Sequence, residues 1–473
     1  MFTTFEMTVE TIRVRLFRGR LYRVRLSGTR ARSGPQLSAV ILVGGLLASS
    51  LPTTGSAADL VEVYDRAREY DSELRAATFD YEAAQQQLPL ARSAFRPQLN
   101  AGADGSIGHI DTDLAHDRYR SLGITLSATQ TLFNRANGAL VDQAKLGMKQ
   151  ADAQFLAVEQ ALILRVATAY FDVLRAQADL VFSRSELEAI RRQREQAVRR
   201  FDVGLVPVTD VRTAEAQYDL AVAQEIAAAN QLSTAQEALR VISNTDDEDA
   251  LHRLARDLPL VSPDPDDIDA WVELALEQNL ELVGARLASE SAATQIDIER
   301  GARYPTLDLV GTASSSKTTQ DGRTDADVAE LALQLRIPIL TGGRVNAQVA
   351  QARARAESSA EQLVAQERAA TQQARDGYRG VLTSISRVQA LRQALVSTQK
   401  SAEATEAGFR AGTRTSIDVL QALRDVYRAR SDYAGARYDY LINTLNLKAA
   451  AGTLSENDLE AVNRFLVPTD PES

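Results

Sequence analysis

The sequence repeats itself at a fixed offset, and this duplication limits the fold more than any other feature. Glu73-Leu74-Arg75-Ala76-Ala77 returns as Glu281-Leu282-Val283-Gly284-Ala285, an offset of 208 positions. Pro97-Gln98-Leu99 and Pro305-Thr306-Leu307 keep that offset. So do Gln143-Ala144-Lys145 and Gln351-Ala352-Arg353, Tyr170 and Tyr378, Phe201 and Phe409, Gly204 and Gly412, and Asp210-Val211 and Asp418-Val419. One structural unit is built twice. Between the copies lies an acidic, proline-containing stretch, Thr245 to Asp269, with Asp246-Asp247-Glu248-Asp249 and Pro263-Asp264-Pro265. It reads as a surface linker, because it lacks the Gly and ligand spacing of a calcium loop. The expected organisation is a leader over 1–58, a first repeat over 59–266, a second over 267–463 and a flexible tail over 464–473.

Each copy opens with a helix of about thirty residues, Asp59 to Ala91 and Ile268 to Arg300. Two strand-like segments follow, then a very long helix, a Gly-containing turn and a return helix. No proline interrupts the chain between Pro97 and Pro207 or between Pro338 and Pro468. Phe155, Val158, Leu162, Val166, Ala169, Val173, Ala176 and Leu180 recur at three or four residues, as do Tyr378, Val381, Ile385, Val388, Leu391 and Leu395. That is the seam of helices packed side by side. From Asn134 to Val203 such a helix spans roughly 105 Å, too long for a compact globular domain. The chain is expected to fold back at Gly204 and Gly412 as antiparallel hairpins.

The strand-like segments alternate with period two. Leu122, Ile124, Leu126 and Ala128 share one side, with Ser121, Gly123, Thr125 and Ser127 on the other. Ala329, Leu331, Leu333, Leu335, Ile337 and Ile339 alternate with Glu330, Ala332, Gln334, Arg336 and Pro338. Leu99, Ala101, Ala103 and Leu307, Leu309, Gly311, Ala313 are weaker partners, with polar loops at Asp111-Thr112-Asp113 and Lys317 to Asp327. Segments of about ten residues with one apolar face suit either a half-buried sheet or a membrane barrel wall. Counting separates the two. Four strands cannot close a barrel, and open edges are not tolerated in lipid. Two chains give eight strands and a barrel too tight for a wide channel. Three give twelve strands and twelve helices in cross-section.

Composition excludes much else. With 45% hydrophobic and 25% charged residues the chain is not disordered. It has no cysteine, so disulfides, thiolate metal sites and cysteine nucleophiles are absent. Three histidines, His109, His116 and His252, do not suggest a His-rich metal site, and no cofactor motif is present. No phosphate loop or nucleophile elbow marks an enzyme. The first 33 residues carry eight Arg and two Glu, followed by an apolar run from Leu37 to Leu47 and Ser56-Ala57-Ala58. That order fits a secretory signal, with Met7 a second possible start. The alternative is a basic arm for nucleic acid or membrane. Cleavage after Ala58 leaves a chain more acidic than the formal −10 of the whole, a poor nucleic-acid binder.

At the two turns, Arg200-Phe201-Asp202-Val203-Gly204-Leu205-Val206-Pro207-Val208-Thr209-Asp210-Val211 and Ala407-Gly408-Phe409-Arg410-Ala411-Gly412-Thr413-Arg414-Thr415-Ser416-Ile417-Asp418-Val419-Leu420, the chain resembles the TolC family of outer-membrane efflux and secretion ducts. Tyr438 to Asn443 and Ala451 to Leu454 add to the resemblance, which runs from about Asp59 to Asn463. It implies a mainly α protein with a membrane β-barrel: a homotrimer with a twelve-stranded barrel and a twelve-helix α-barrel. It further implies a location in the outer membrane and periplasm. Cargo would pass from an inner-membrane transporter of RND, ABC or MFS type, through a periplasmic adaptor, to the exterior. That cargo comprises drugs, toxic compounds and, by type I secretion, proteins. The branch anchored by a lipidated cysteine is set aside. The competing function is a soluble periplasmic coiled-coil scaffold or adaptor.

From the residues alone, Gly204 and Gly412 permit the positive backbone angle of a reversal. Thr209 and Thr415 stand where a hydroxyl caps a return helix, and Asp210 and Asp418 lie where the helix dipole favours a carboxylate. Capping alone accounts for them. The resemblance implies a gate as well, in which Arg414 and Phe409 of one hairpin face Thr209 and Asp210 of a neighbouring hairpin. Phe409 stands where the family carries tyrosine, so a phenol hydrogen bond is missing. Asp418 would line the entrance in a ring of three carboxylates, favouring cations. Gln421 stands where the family pattern has a second aspartate, which halves that charge. Trp271 is expected in the core, the histidines in solvent, and Tyr119 and Phe133 either in an aromatic girdle or in packing.

Overall fold

The structure, a computed structural model, describes residues 58–112, 115–244, 251–319 and 325–468. Apart from Ala58, the expected leader lies outside them, as do Asp246-Asp247-Glu248-Asp249 and the end of the expected tail. In chain order the elements are α1 (Leu60–Tyr70), α2 (Ser72–Gln85), α3 (Gln87–Ser93), β1 (Gln98–Thr112), β2 (Ala115–Phe133), α4 (Arg135–Asp202) and α5 (Val208–Ser243). Then come β3 (Arg253–Leu254), α6 (Ile268–Gln278), α7 (Leu280–Gly301), β4 (Thr306–Thr318), β5 (Ala326–Arg336), α8 (Arg344–Arg410), α9 (Ser416–Ala450), α10 (Glu456–Asn463) and β6 (Leu466–Val467).

The opening helix of each copy is broken, not continuous as expected. The Asp71 carboxylate accepts the Leu74 N–H at 2.7 Å, ending α1 and capping α2. Asn279, at the same position of copy two, accepts the Leu282 N–H at 3.0 Å between α6 and α7. A side-chain cap contributes about 1 kcal/mol, which favours a bend at that residue over continued helix.

The two long helices hold 68 and 67 residues, each roughly 100 Å. Near its start α4 lies beside α7, where the Gln143 amide donates to the Ser291 carbonyl at 3.2 Å. Toward its end it pairs with the returning α5. α8 does the same with α7 and then α9, where the Asn443 amide donates to Ser384 Oγ at 2.7 Å. Leu162, Val166, Val173, Ala176 and Leu180 of the expected seam are buried, as are Val381 and Val388 of the second.

The main core lies where the short helices gather around the middle of the long ones. It includes Tyr170, Phe171, Trp271, Tyr438, Leu445, Leu447 and Leu459. Tyr170 donates its hydroxyl to the His252 carbonyl at 2.9 Å, and Trp271 Nε1–H donates to the Pro265 carbonyl at 2.8 Å. The linker is therefore not merely surface. Leu251 and Leu254 are buried in this core, because the chain must cross it to begin copy two. The chain also stays folded past Arg464: Leu466–Val467 pairs with Arg253–Leu254, and Leu466 is buried.

β1, β2, β4 and β5 form one antiparallel sheet in that order, so the hairpins of the two copies sit side by side and β1 and β5 each have one unpaired edge. The register sorts the residues cleanly. Ala103 opposes Ile124, which opposes Ser315; Ala101 opposes Leu126, which opposes Ala313; Leu309 opposes Leu333 and Leu307 opposes Leu335. All lie on one face, with Leu122 and Leu331. The other face carries Asn100, Asp104, Ser121, Thr125, Ser127, Thr312, Ser314 and Glu330. Leu122, Ile124, Leu331, Leu333 and Leu335 are exposed, so among the described residues nothing covers the apolar face.

The strands run to 15 and 19 residues in copy one, longer than the expected ten. The backbone pairing continues through Asp111 and Thr112, assigned above to a loop. β5 in contrast ends at Arg336, short of Ile337 and Ile339, because Pro338 has no N–H to pair. Tyr119 opposes Gly108 on the polar face, so it is not part of an outer girdle, whereas Phe133 lies on the apolar face opposite Leu307. His109 is in β1, not in a loop.

Candidate functional site

The tips of the two hairpins carry the candidate residues. α4 ends in a reversal at Gly204 (φ 72°), where Leu205 N–H donates to the Arg200 carbonyl at 2.8 Å and Gly204 N–H to the Phe201 carbonyl at 2.8 Å. α8 ends the same way at Gly412 (φ 76°), with Thr413 N–H on the Gly408 carbonyl at 2.8 Å and Gly412 N–H on the Phe409 carbonyl at 3.1 Å. This pair of bonds satisfies the last carbonyls of a helix and needs a left-handed residue, which glycine supplies without strain.

The return helices start differently. Thr415 caps α9: its hydroxyl accepts the Asp418 N–H at 3.2 Å, and the Asp418 carboxylate accepts the Thr415 N–H at 2.9 Å. These bonds hold the Asp418 carboxyl below the usual carboxylate range, with the Arg414 charge adding to the effect. In copy one the capping position is Pro207, and Thr209 is not a cap. The helix begins at Val208, one residue before the threonine, whose carbonyl accepts the Thr213 hydroxyl at 2.8 Å. Asp210 keeps its place in the first turn.

Within one chain the tips touch through two contacts. The Ser416 hydroxyl donates to Asp210 at 3.4 Å. The Arg200 guanidinium lies 4.5 Å from the centre of the Phe409 ring. Arg414 and Asp210 form no ion pair within the chain. Gln421 donates to Asp425 at 2.9 Å, one turn farther along α9.

Above the tips a link appears that sequence reasoning missed. Arg424 on α9 lies 3.5 Å from Glu186 on α4 and donates to Gln217 on α5 at 3.0 Å, joining both hairpins. Burial pushes the Glu186 carboxyl up, against the opposing pull of Arg424 and Arg428. Ile190, Ala221 and Leu420 form a small apolar cluster in the same layer. Arg424 follows Gln421 by three residues, the only signal that could have drawn attention to it. Higher still, Arg175 and Arg387 converge on Asp439. Among the described residues no group of three or more metal-binding side chains is arranged around a common point, and no helix is long and apolar enough to cross a membrane.

A four-stranded sheet with one apolar face and two open edges, running directly into paired helical hairpins, defines one protomer of a channel-tunnel. The model of the outer membrane efflux protein family matches residues 63–245 and 271–453, once per repeat, and the chain belongs to that family. It is 37% identical over 445 residues to outer membrane protein TolC of Escherichia coli (strain K12), covering 91% of this chain and 90% of that one. It is 31% identical over 419 residues to the alkaline protease secretion protein AprF of Pseudomonas aeruginosa, covering 85% and 86%. Among solved structures, VceC of Vibrio cholerae superposes with a TM-score of 0.72 at 19% identity, over 83% of this chain and 96% of that one. A membrane protein from Pseudomonas aeruginosa gives 0.74 at 21%, over 84% and 91%.

The chain is an outer-membrane channel for efflux and secretion, with its tunnel in the periplasm. Its relatives are channel and transport proteins, and the soluble scaffold or adaptor is set aside. Family membership carries with it a trimeric assembly that works with pump and adaptor partners.

Proposed function

We propose that three copies join edge to edge, β5 of one beside β1 of the next, into a barrel of twelve strands continuous with a tunnel of twelve helices. The single observation that carries this is the sheet: four strands, a bare apolar face and two unpaired edges, a combination that lipid tolerates only when closed. The duct takes small molecules such as drugs and toxic compounds, and secreted proteins, from an inner-membrane pump of RND, ABC or MFS type through a periplasmic adaptor. Residues 59–266 and 267–463 are its two repeats, delivered by a leader over 1–58.

The tips act as the gate. Asp210 with Ser416 and Arg200 with Phe409 hold the two hairpins of one chain together, and Arg414 faces Thr209 and Asp210 of the neighbouring protomer. An exposed ion pair contributes about 0.2–1 kcal/mol, so three symmetry copies hold the entrance by a few kcal/mol at most. Adaptor docking can offset that, and the copy-two hairpin then tilts outward. Asp418 forms the entrance ring, with Gln421 neutral beside it.

The chain has no cysteine of its own, so an introduced pair gives an unambiguous crosslink. Asp210→Cys with Arg414→Cys is expected to yield oxidised dimers and trimers on denaturing gels and to lower conductance in planar bilayers. Crosslinks confined to single chains would remove the inter-protomer gate. Purified protein that runs as a monomer and carries no current would remove the channel itself.

A further inference from the structure

The apolar face of the sheet ends abruptly in positive charge. On β2 the face runs from Leu122 through Ile124, Leu126 and Ala128 to Phe133, twelve residues. At about 3.3 Å per residue and a tilt of about 40° that band stands about 28 Å tall, close to the height of a membrane barrel's apolar belt. Its near end runs into α4, so its far end, at the hairpin tips, is the exterior side. The next two positions on the same face at that end are Arg120 and Arg118, opposite Ile107 and His109 of β1. On β4 the residue opposite Leu122 is Lys317. Arg118, Arg120 and Lys317 are exposed, and none forms an ion pair with a described residue. The lumen-face neighbours Ser121 and Tyr119 on β2 carry no charge. Toward β5 the rim also carries Asp327, opposite Ser315, and Asp325, whose carboxylate accepts the Thr318 N–H at 3.2 Å.

We propose that Arg118, Arg120 and Lys317 form a lipid-binding rim that holds the phosphate groups of phosphorylated, multi-acyl lipids in the outer leaflet. This rests on the channel reading, because the rim faces lipid only in the closed barrel. Both parts of the ligand have a place. Guanidinium forks bind phosphate oxygens in pairs, and the exposed leucines directly below accept the acyl chains. A soluble anion would use the charges and leave the leucine band bare. A neutral lipid would use the band and leave three cations without a partner at headgroup depth. The rim would fix the barrel's height in the membrane and place a shell of lipid around the trimer.

The test uses the full chain, purified as trimer, with diphosphoryl lipid A and phosphatidylethanolamine as probes and native mass spectrometry as readout. Wild type is expected to retain diphosphoryl lipid A in preference to phosphatidylethanolamine. Removing each charge should cost about fivefold, the usual effect of one basic residue at an anionic lipid surface. Arg118→Gln with Arg120→Gln and Lys317→Gln should abolish the preference, while Lys145→Gln on α4 should leave it intact. Unchanged retention in the triple variant overturns the proposal. So does loss on chelation alone, which assigns binding to Asp325 and Asp327 through a bridging cation. Full displacement by equimolar inorganic phosphate also overturns it. Should the triple variant fail to assemble, Arg120→Gln and Lys317→Gln are measured singly, and no loss in either has the same meaning. Conductance is recorded on the same samples. A conducting trimer without the preference removes the rim alone, whereas a chain that neither assembles nor conducts removes the channel reading beneath it.

Discussion

Arg200 and Phe409 come from different hairpins of the duplicated chain and meet at 4.5 Å, guanidinium over ring. The equivalent ring of copy one, Phe201, is 42% exposed. The two copies have therefore diverged at this position: one phenylalanine lies open and the other is a platform for the opposite hairpin. The contact uses the ring face and needs no hydroxyl, so phenylalanine suffices for a bridge between the tips.

A cation over an aromatic face at an exposed site contributes about 0.5–1 kcal/mol. Arg200→Ala and Phe409→Leu are expected to raise the open probability of single channels two- to fivefold. Phe409→Tyr should leave it unchanged or lower it, because the ring face remains and a hydroxyl is added. Planar-bilayer recording of all three decides; equal behaviour of Leu and Tyr at 409 would show that the ring carries no load.

Asp210 accepts from Ser416 within the chain and is proposed to face Arg414 of the next protomer. Asp210→Ala and Arg414→Ala should each raise conductance, and the double substitution should add little to either alone. Full additivity in such a cycle would mean that the two side chains act independently. Ser416→Ala should have the smaller effect, since its bond is long and neutral on one side.

Arg424 ties α9 to both helices of the other hairpin. Burial already raises the Glu186 carboxyl, so Arg424→Met should raise it further. The sign follows from the protonated form being the one the folded state then prefers. Stability is fully present below the unfolded carboxylate range and is lost as pH rises through the raised value. The thermal midpoint of Arg424→Met is expected to fall relative to wild type by more at pH 8 than at pH 5. A pH-independent difference would assign Arg424 to packing alone.

The Asp418 carboxyl is held low by its two bonds to Thr415. The proposed entrance ring would therefore keep its charge, and Asp418 its part in the α9 cap, until pH falls below the usual carboxylate range. Block by a multivalent cation should persist through the usual carboxylate range and disappear only below it; Thr415→Ala should shift that loss to higher pH. Gln421→Asp should strengthen the block at neutral pH by restoring charge one turn farther along. Titration of wild type at ordinary carboxylate pH would contradict the capping geometry.

Much of this was legible in residue spacing. The two Gly reversals, the long seams and the alternation from Leu122 to Ala128 each depend on a local period, which a sequence displays directly. The missed features depend on something else. Asp71 and Asn279 break their helices with a single side chain inside an otherwise regular amphipathic run. The outer ends of β1 and β2 extend past the apolar band, where neither face needs to be apolar, so alternation vanishes although pairing continues. Thr209 looked like a cap because it is a threonine near a turn, yet in copy one Pro207 holds the capping position and the helix starts at Val208. Arg200 with Phe409 and Arg424 with Glu186 join segments from different repeats, and no local period encodes such a meeting.

Leu333 and Glu330 test the sheet's two sides. Leu333 is 66% exposed in the single chain and lies on the apolar face opposite Leu309, near the middle of the band. Glu330 lies three residues away on the polar face, opposite Thr312. In the closed barrel the first side chain meets acyl chains and the second meets water in the lumen. Leu333→Arg should therefore destabilise the folded trimer by ~2–4 kcal/mol, the cost of a guanidinium near the membrane midplane. Glu330→Arg should leave assembly intact and shift ion selectivity toward anions, because three carboxylates of the lumen become three cations. Urea titration of heat-modifiable trimer on gels reads the first effect, and the reversal potential in a salt gradient reads the second. A sheet whose apolar face stayed in water would tolerate arginine at Leu333 and give no current to measure.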